Sequence, residues 1–209
     1  MRSLIIAALS LLLAVPSVAF ADTASDNGGV ALGVQLLSSF IGSEDRPANP
    51  PEGAVYVDEV APGLQLWLGY AFSPAFLLRL SVSGATHESN FSNVDVRVSS
   101  AMLEAVYHVS TAGRLRPYVY GGLGGYALRS LQDRFEFESE GGAIDLGAGI
   151  NYFVSRRVSF DLSARADFIN WDKTTATVEL ESGEKLTVET PVDENGTAAK
   201  ILFGIGVWF

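Results

Sequence analysis

The last nine residues of the chain alternate strictly between two sets of side chains. One set is Ile201, Phe203, Ile205, Val207 and Phe209, and the other is Leu202, Gly204, Gly206 and Trp208. A period of two is the pattern of a β-strand, whose successive side chains point to opposite faces. An exposed apolar row that ends in phenylalanine is unfavourable on the surface of a soluble domain, whereas a lipid-facing strand requires such a row. The segment therefore predicts the closing strand of a membrane-spanning β-barrel.

The first 21 residues have the layout of a secretory signal peptide. Arg2 provides a basic start, residues 4–15 form an apolar run, and residues 19–21 form a small-x-small cleavage site. The apolar run is shorter than the roughly 20 residues that a membrane-spanning helix needs. We therefore predict a signal peptide over residues 1–21 and a barrel domain over residues 22–209. No other stretch is long and apolar enough to span as a helix, so a membrane-embedded mature chain must cross with strands.

Composition narrows the class of protein further. The chain is 48% hydrophobic and only 18% charged, and its apolar residues are spread in alternation, as expected for strands with one lipid-facing side. Its formal charge of −10, without basic clusters, argues against nucleic acid as a partner. The absence of cysteine excludes a disulfide framework, a thiolate metal site and a thiolate nucleophile.

Eight segments of the mature chain alternate in the same way. They lie near residues 30–40, 64–72, 76–83, 94–108, 116–128, 144–152, 158–168 and 201–209. The connections alternate long and short, at 41–63, 73–75, 86–93, 110–115, 129–142, 155–157 and 172–199, and the last is predicted to carry its own hairpin around residues 181–184. Outer-membrane barrels have long extracellular loops and short periplasmic turns. The sequence therefore predicts an all-β, eight-stranded, antiparallel up-and-down barrel with both mature termini in the periplasm.

Two of the segments are less regular than the others. In the fourth, the apolar set changes phase from Val96 and Val98 to Ala101 and Leu103, which predicts a bulge near residues 99–100 or a hairpin arm that extends beyond the membrane. The fifth is so rich in glycine that the sequence leaves its facing open.

Two motifs carry a resemblance to a known family. The fifth segment opens Arg116-Pro117-Tyr118-Val119 and continues into Gly-x-Gly pairs, which resembles the equivalent strand of OmpA-like and OmpW-like proteins. The chain's final alternation resembles the C-terminal signal of bacterial outer-membrane proteins. The chain is thus similar to the small outer-membrane β-barrel superfamily (OmpA/OmpX/OmpW-like barrel domains). This resemblance implies that the barrel-assembly machinery reads a signal made of Phe203, Ile205, Val207 and Phe209.

Alternation alone does not separate a membrane barrel from a soluble lipocalin-like barrel. The polar face consists mostly of Gly, Ser and Ala with isolated charges, which suits a narrow interior better than a solvated exterior. Turning a basic residue toward lipid at mid-membrane would cost about 2–4 kcal/mol. We therefore expect a luminal charge network that holds the barrel's shape, with an ion path as the less favoured alternative. Its predicted members are Arg79, Glu104, Asp145, Asp161, Arg165, Asp167 and Lys200.

Candidates for chemistry are few. His87 and Ser89 share one face of a strand, which is superficially similar to the arrangement in outer-membrane lipid A deacylases, but that family's motif sits late in its chain and no oriented acid can be assigned here. His108 lies at the opposite, periplasmic end. The acidic loops could hold a divalent cation but show no EF-hand-like spacing and are typical of a solvated face. The sequence therefore predicts no catalytic residues, no metal and no cofactor.

The favoured function is a non-enzymatic envelope scaffold. Its extracellular loops would contact lipopolysaccharide, host surfaces or other envelope proteins, and outer-membrane lipids would surround the barrel. The first alternative is an OmpW-like channel for small hydrophobic molecules. Against it, Trp67 and Trp208 are the main large apolar side chains that the sequence places inside. An enzyme that modifies lipid A is the second alternative.

Overall fold

The described part of the chain forms a closed ring of eight strands. The computed structural model describes residues 28–41, 60–88, 95–132, 135–180 and 185–209. The strands are β1 Gly29–Ile41, β2 Val60–Ser73, β3 Phe76–Glu88, β4 Asp95–His108, β5 Leu115–Gln132, β6 Phe135–Phe153, β7 Val158–Glu179 and β8 Lys185–Trp208. Each strand pairs with the next and β8 pairs with β1, always antiparallel, so the predicted barrel is confirmed. The predicted signal peptide lies outside the described residues and stays a prediction.

No helix in the described part of the chain has the length and apolar character needed to cross a membrane.

The strand register sets the tilt of the barrel. A path of directly paired residues starts at Ala31 and runs through Gly69, Arg79, Glu104, Gly122, Asp145, Asp167 and Ala198 to Ile41. It returns to β1 ten residues beyond its start. With usual strand spacings, this stagger tilts the strands by about 40° from the barrel axis. An eight-stranded barrel of this kind has an interior just wide enough for side chains to fill it.

The two faces of the wall differ as the alternation predicts. Outward side chains are large and apolar, and Leu36 and Leu123 are each 66% exposed. Inward side chains include all the charged residues of the predicted network, many small and polar residues, and aromatic and apolar groups, and most of them are buried. The open question of the fifth strand is settled as well, because Tyr118, Tyr120 and Tyr126 point inward while Leu123 points outward.

The predicted bulge in the fourth strand is wrong. Strand β4 keeps one register with both of its neighbours over its whole length. Val96 and Val98 are buried inside the barrel, on the same face as Glu104. The polarity of this face changes because the lumen itself becomes apolar toward one end. Register shifts occur instead at Ala71/Ser73, Glu140/Gly141 and Trp171/Lys173.

The two ends of the barrel have different shapes. At one end, here called the turn end, short turns join β2 to β3, β4 to β5 and β6 to β7. At the other, the hairpin end, the ends of β5 to β8 form a four-stranded sheet, here called the projecting sheet (129–132, 135–140, 173–179 and 185–191). Its β5 edge still pairs with β4, and its β8 edge extends beyond the pairing with β1.

The projecting sheet corrects two predicted loops. Residues 129–142 were expected to be a loop, but ladder pairing continues from Arg129–Glu138 to Gln132–Phe135, so most of them are strand. Residues 172–199 were expected to be a loop with its own hairpin around residues 181–184, but the strands on either side of 181–184 are the ends of the continuous strands β7 and β8. Of the expected loops 41–63 and 86–93, residues 60–63 and 86–88 are strand, and residues 42–59 and 89–93 lie outside the described residues.

Side chains fill the lumen in three tiers. The turn-end tier is aromatic and contains Trp67, Tyr118, Tyr120, Phe153 and Trp208. The middle tier holds the charged residues. The hairpin-end tier is apolar and consists of Val96, Val98, Met102, Tyr126, Ala143, Ile169 and Ala198. The expectation that two tryptophans would be the main large apolar groups inside is therefore wrong.

Candidate functional site: the luminal charge network and the cavity above it

The structure places all seven predicted charged residues inside the barrel. Each is at most 3% exposed. Four lie in one row of the ladder, in the order Arg79, Glu104, Asp145 and Asp167, with Gly122 between Glu104 and Asp145. A Cβ atom on Gly122 would come within 2.9 Å of both Asp145 Oδ1 and Glu104 Cγ. Glycine at this position of β5 therefore makes room for two carboxyl groups, one on each of the flanking strands β4 and β6.

Glu104 is the centre of the network. Its Oε2 accepts a hydrogen bond from Arg79 Nε at 2.5 Å, and its Oε1 accepts one from Arg165 Nη1 at 3.0 Å. Arg79 lies on β3 and Arg165 on β7, which are opposite walls of an eight-stranded ring. One carboxylate thus ties both sides of the barrel together across the lumen.

A second set of contacts surrounds Asp167. Arg165 Nε lies 3.0 Å from Asp167 Oδ1, and the Tyr126 hydroxyl donates to Oδ2 at 2.6 Å. Lys200 Nζ lies 3.7 Å from Oδ2. Lys200 also donates to the hydroxyls of Ser83 and Ser100 at 2.9 and 3.1 Å. The ammonium group is therefore held mainly by neutral oxygens and one carboxylate.

Asp161 is bound by neutral donors. The Tyr118 hydroxyl donates to it at 2.5 Å, Ser163 donates at 3.3 Å, and Gln35 donates through its amide. Gln65 bridges this group to the rest of the network, because it donates to Gln35 at 2.8 Å and accepts from Arg165 at 3.2 Å. The sequence analysis missed these polar partners, and their inward parity on the strands is the signal that could have identified them.

Like charges lie directly opposite each other in two places. Asp145 is paired with Asp167, and Arg165 is paired with Lys200. Direct opposition of like charges destabilises a sheet, so the diagonal contacts must offset it. Asp145 has the weakest compensation. Arg165 Nη1 is 3.7 Å from its Oδ2, and neither of its oxygens accepts a hydrogen bond from a described protein donor.

The aromatic tier closes the network on the turn side. The Arg79 guanidinium lies 4.6 Å from the centre of the Tyr120 ring and 5.9 Å from that of Trp67. Trp208 packs edge-on against Trp67 at a centroid distance of 6.3 Å, and its indole nitrogen donates to Ser159 at 3.0 Å. Cation–π contacts of this kind stabilise a guanidinium away from water. The aromatic tier therefore covers the charged residues on the side of the turn end.

The hairpin end holds a cavity of about 260 Å³. Much of its lining is apolar, including Ile41, Val98, Leu128, Ile169, Trp171 and Val192. A neighbouring recess of about 360 Å³ lies beside the end of β1. Its lining includes outward Phe168 and the strand positions of Asp167 and Ala198, whose side chains are buried. Sequence reasoning missed both spaces because it treated the lumen as polar throughout.

The histidine candidates do not form a site among the described residues. His87 is buried in the lumen, and Ser89 lies outside the described residues. His108 contacts Asn151 at 3.2 Å and packs on the Tyr118 and Trp208 rings, at the turn end. Within the described ranges, no group of three or more His, Cys, Asp or Glu side chains is arranged to hold a metal ion.

Ion pairs also cover the outer face of the projecting sheet, but these are exposed. Arg129 pairs with Glu136 at 3.1 Å and with Glu138 at 3.0 Å, and Lys173 pairs with Glu140 at 2.9 Å. The hydrogen bond to Glu138 and the nearby negative charges raise the pKa of the Arg129 guanidinium. The Glu140 carboxylate raises the pKa of Lys173 in the same way. These pairs therefore stay ionic at neutral pH.

Solved structures of similar fold include small outer-membrane barrels. Neisserial surface protein A is 15% identical with a TM-score of 0.61, and the match covers 87% of this chain and 97% of that one. OprG from Pseudomonas aeruginosa is 16% identical with a TM-score of 0.53, over 87% and 96% of the two chains. Ail, the attachment invasion locus protein of Yersinia pestis, is 14% identical with a TM-score of 0.53, over 87% and 99%.

A protein-family model matches most of the chain. No curated protein sequence matches the chain. Residues 5–189 match the model of the outer membrane protein β-barrel domain, which is most of the chain. Together with the closed eight-stranded ring and its apolar outer face, this match means that the chain belongs to the outer membrane protein β-barrel family and is an integral protein of the bacterial outer membrane.

Proposed function

We propose that the protein is a non-enzymatic scaffold of the outer membrane, with a closed lumen and a projecting sheet that makes contacts at the cell surface. The observation that carries this proposal is the buried charge network, which lies between an aromatic tier and an apolar tier. A lumen filled in this way supports rigidity rather than conduction.

The network resists opening because its centre is bound from two sides. Ions could pass only if Glu104 separated from Arg79 or Arg165. Leaving a buried charge without its partner costs about 3–5 kcal/mol. A conducting state would therefore be rarely populated.

The projecting sheet supplies the contact surface. Its inner face carries exposed apolar side chains, Phe135, Phe137, Leu186 and Val188, and its outer face is acidic. Exposed apolar patches of this kind mark interaction sites. We expect the sheet to face the outside of the cell and to bind host or envelope proteins, while lipopolysaccharide and other membrane lipids contact the barrel wall.

In this proposed orientation, both termini lie in the periplasm. Gly29 and Phe209 lie at the turn end, where the connections are short. Phe203 and Ile205 point outward toward lipid, and Val207 and Phe209 continue the same row. This arrangement supports their role as the signal that the barrel-assembly machinery recognises, which remains part of the proposal.

Conductance in planar bilayers tests the closed lumen. The wild-type barrel should give no steady current steps. The double variant Glu104→Ala/Arg165→Ala should give brief openings if the network is the barrier, whereas Arg129→Ala/Glu138→Ala, on the outer face of the projecting sheet, should stay silent. Large, steady, ohmic steps from the wild-type protein would refute the closed lumen.

Adhesion assays test the surface role. Wild-type bacteria should bind to host-cell layers or to an envelope protein. Bacteria that carry the variant Phe135→Ser/Phe137→Ser/Leu186→Ser/Val188→Ser should lose this binding. A matched variant on the outer face, Glu136→Ser/Glu138→Ser/Glu140→Ser/Glu189→Ser, should bind like the wild type. Equal binding by the apolar-face variant and the wild type would contradict the proposal.

The cavity at the hairpin end favours a second candidate function, the binding and passage of small hydrophobic molecules in the OmpW-like manner. The apolar lining of the cavity and the recess beside the end of β1 both support it. Titration with a fluorescent apolar probe should then show saturable binding that Ile169→Gln weakens and that Leu123→Gln, on the lipid-facing side, leaves unchanged. Unsaturable binding that neither variant alters would exclude this candidate.

A further inference from the structure

Charge is distributed very unevenly between the two ends of the barrel. The described acidic side chains that lie outside the lumen are all at the hairpin end. They are Glu88, Asp95, Glu136, Glu138, Glu140, Asp172, Glu179, Glu189, Asp193 and Glu194. The turn end instead carries four arginines, Arg114, Arg116, Arg156 and Arg157, here called the arginine rim. Over the described ranges, no acidic side chain accompanies them outside the lumen at that end.

The two turns that carry the arginine rim are fixed to neighbouring strands. Phe153 N donates to the carbonyl of Arg114 at 2.7 Å, and Trp208 N donates to the carbonyl of Arg157 at 2.8 Å. Ser155 Oγ accepts hydrogen bonds from Arg157 N at 3.2 Å and Val158 N at 3.1 Å. The arginine side chains therefore project from a well-defined backbone.

Adjacent strands bring the two turns to the same part of the rim. Leu115, at the start of β5, pairs directly with Tyr152 near the end of β6. The Arg116 guanidinium lies 4.5 Å from the centre of the Phe153 ring, which bridges the two turns. Four positive charges are thus collected on one side of the turn end.

Exposed apolar side chains set the depth of the rim in the membrane. Tyr107, Val109, Leu115, Tyr152 and Val154 all point outward next to the rim. Tyrosine at the edge of an apolar band is typical of the membrane–water interface. Arg114, Arg156 and Arg157, in the turns next to this edge, lie at the level of lipid headgroups, where a guanidinium can bind phosphate through paired hydrogen bonds. Arg116 shares the inward parity of Tyr118 and lies against Phe153, at the mouth of the lumen.

We propose that the arginine rim binds the headgroup phosphates of anionic phospholipids, of the phosphatidylglycerol class, in the leaflet that surrounds the turn end. A basic residue near an anionic membrane surface strengthens association by about fivefold. The rim therefore selects anionic over zwitterionic lipid in its own leaflet. This proposal is independent of the scaffold function, because neither conductance nor adhesion depends on the rim.

The competition between two lipids for the barrel surface tests the proposal. The full barrel is reconstituted in phosphatidylcholine bilayers, and the relative association of spin-labelled phosphatidylglycerol and spin-labelled phosphatidylcholine is measured. The wild type should prefer phosphatidylglycerol severalfold, and the preference should fall in high salt. Arg114→Gln/Arg116→Gln/Arg156→Gln/Arg157→Gln should bring the ratio close to one.

Two further variants keep the test decisive. Arg114→Gln/Arg156→Gln/Arg157→Gln leaves the Arg116–Phe153 contact in place, so it reports on the rim if the fourfold variant folds poorly. Arg97→Gln/Lys173→Gln/Lys185→Gln removes three positive charges at the opposite end and should keep the wild-type preference.

Three results would overturn the proposal. The first is a wild-type ratio near one. The second is an equal loss of preference in the opposite-end control, which would mean a general effect of net charge. The third is a ratio near one together with rim-dependent binding to purified cell-wall fragments, which would assign the rim to an anionic wall polymer.

Discussion

The ion pairs inside the barrel and those on the projecting sheet have almost the same geometry but opposite surroundings. Arg165 and Glu104 are 3.0 Å apart with both side chains fully buried. Arg129 and Glu138 are also 3.0 Å apart, but the arginine is 52% exposed. Buried pairs are costly to break because one charge is left away from water, whereas exposed pairs contribute about 0–1 kcal/mol. Distance alone therefore says little about what an ion pair contributes.

The two regions also differ in how their charged side chains are arranged on neighbouring strands. On the projecting sheet, each cation has a carboxylate on a neighbouring strand. In the lumen, Arg79 and Glu104 are directly paired with opposite charges, but two other direct pairs carry like charges. Contacts from Arg165 to Asp145 and Asp167 offset the repulsion. Members of the luminal network should therefore differ widely in how much each contributes to the free energy of unfolding. An exposed pair of the projecting sheet should contribute little.

Glu104→Gln should give the largest loss. It leaves two buried guanidinium groups, of Arg79 and Arg165, without their shared carboxylate. The free energy of unfolding should fall by about 3–5 kcal/mol. Urea unfolding in lipid vesicles, followed by tryptophan fluorescence, measures it. A loss no greater than that of an exposed pair would contradict the distinction between the two regions.

Lys200→Met should have an intermediate effect. The change removes hydrogen bonds to Ser83 and Ser100, but the two hydroxyls still bond to each other at 2.8 Å. Asp167 keeps its contacts with Arg165 and Tyr126. The expected loss is about 1–3 kcal/mol in the same unfolding assay. Lys185→Met, at an exposed lysine, is the matched control and should change little.

Arg129→Gln should have a small effect that depends on salt. Its contacts with Glu136 and Glu138 are exposed, so the loss should not exceed about 1 kcal/mol. Raising the ionic strength should remove most of this difference but leave that of Glu104→Gln unchanged. If both variants respond equally to salt, the luminal network is not shielded from water.

Asp145→Asn should have the smallest effect and can even stabilise the barrel. The carboxyl group lies opposite Asp167 and accepts no hydrogen bond from a described protein donor, so the loss of a negative charge relieves repulsion. An asparagine amide can also donate to a neighbouring carboxylate. Asp167→Asn is the matched variant and should cost more. A loss as large as that of Glu104→Gln would show that Asp145 is essential to the network.

The sequence was sufficient to predict the strands that form the wall of the barrel and the face to which their charged residues point. Strict alternation predicted the number of strands, and the high cost of turning a charge toward lipid predicted that the charged residues lie inside. The partners of each charge could not be predicted in this way. Arg79 and Arg165 meet at Glu104 only because the stagger of the strands brings residues from β3, β4 and β7 to one level. The stagger is a property of the closed ring and leaves no mark in any single strand.

One error came from the assumption that the lumen is polar along its whole length, and another from local composition. The inward-facing Val96 and Val98 therefore suggested a bulge, although the strand is regular and the hairpin-end tier is apolar. Glycine and polar residues in 129–142 suggested a loop, but ladder pairing to β7 keeps most of this segment extended. Cross-strand pairing outweighs local preference in both cases.

The great length of β7 and β8 has a consequence for how the molecule enters its membrane. A chain that arrives from the side of its termini must carry Lys173, Glu179, Lys185 and Glu189 through the oily interior to reach the far surface. Passage of each charged group at the midplane is costly, up to about 2–4 kcal/mol for lysine. Since β8 also seals the ring against β1, translocation of this tip and closure of the seam are linked steps. The two longest of the described strands thus combine a charged tip at one end with the seam of the ring at the other.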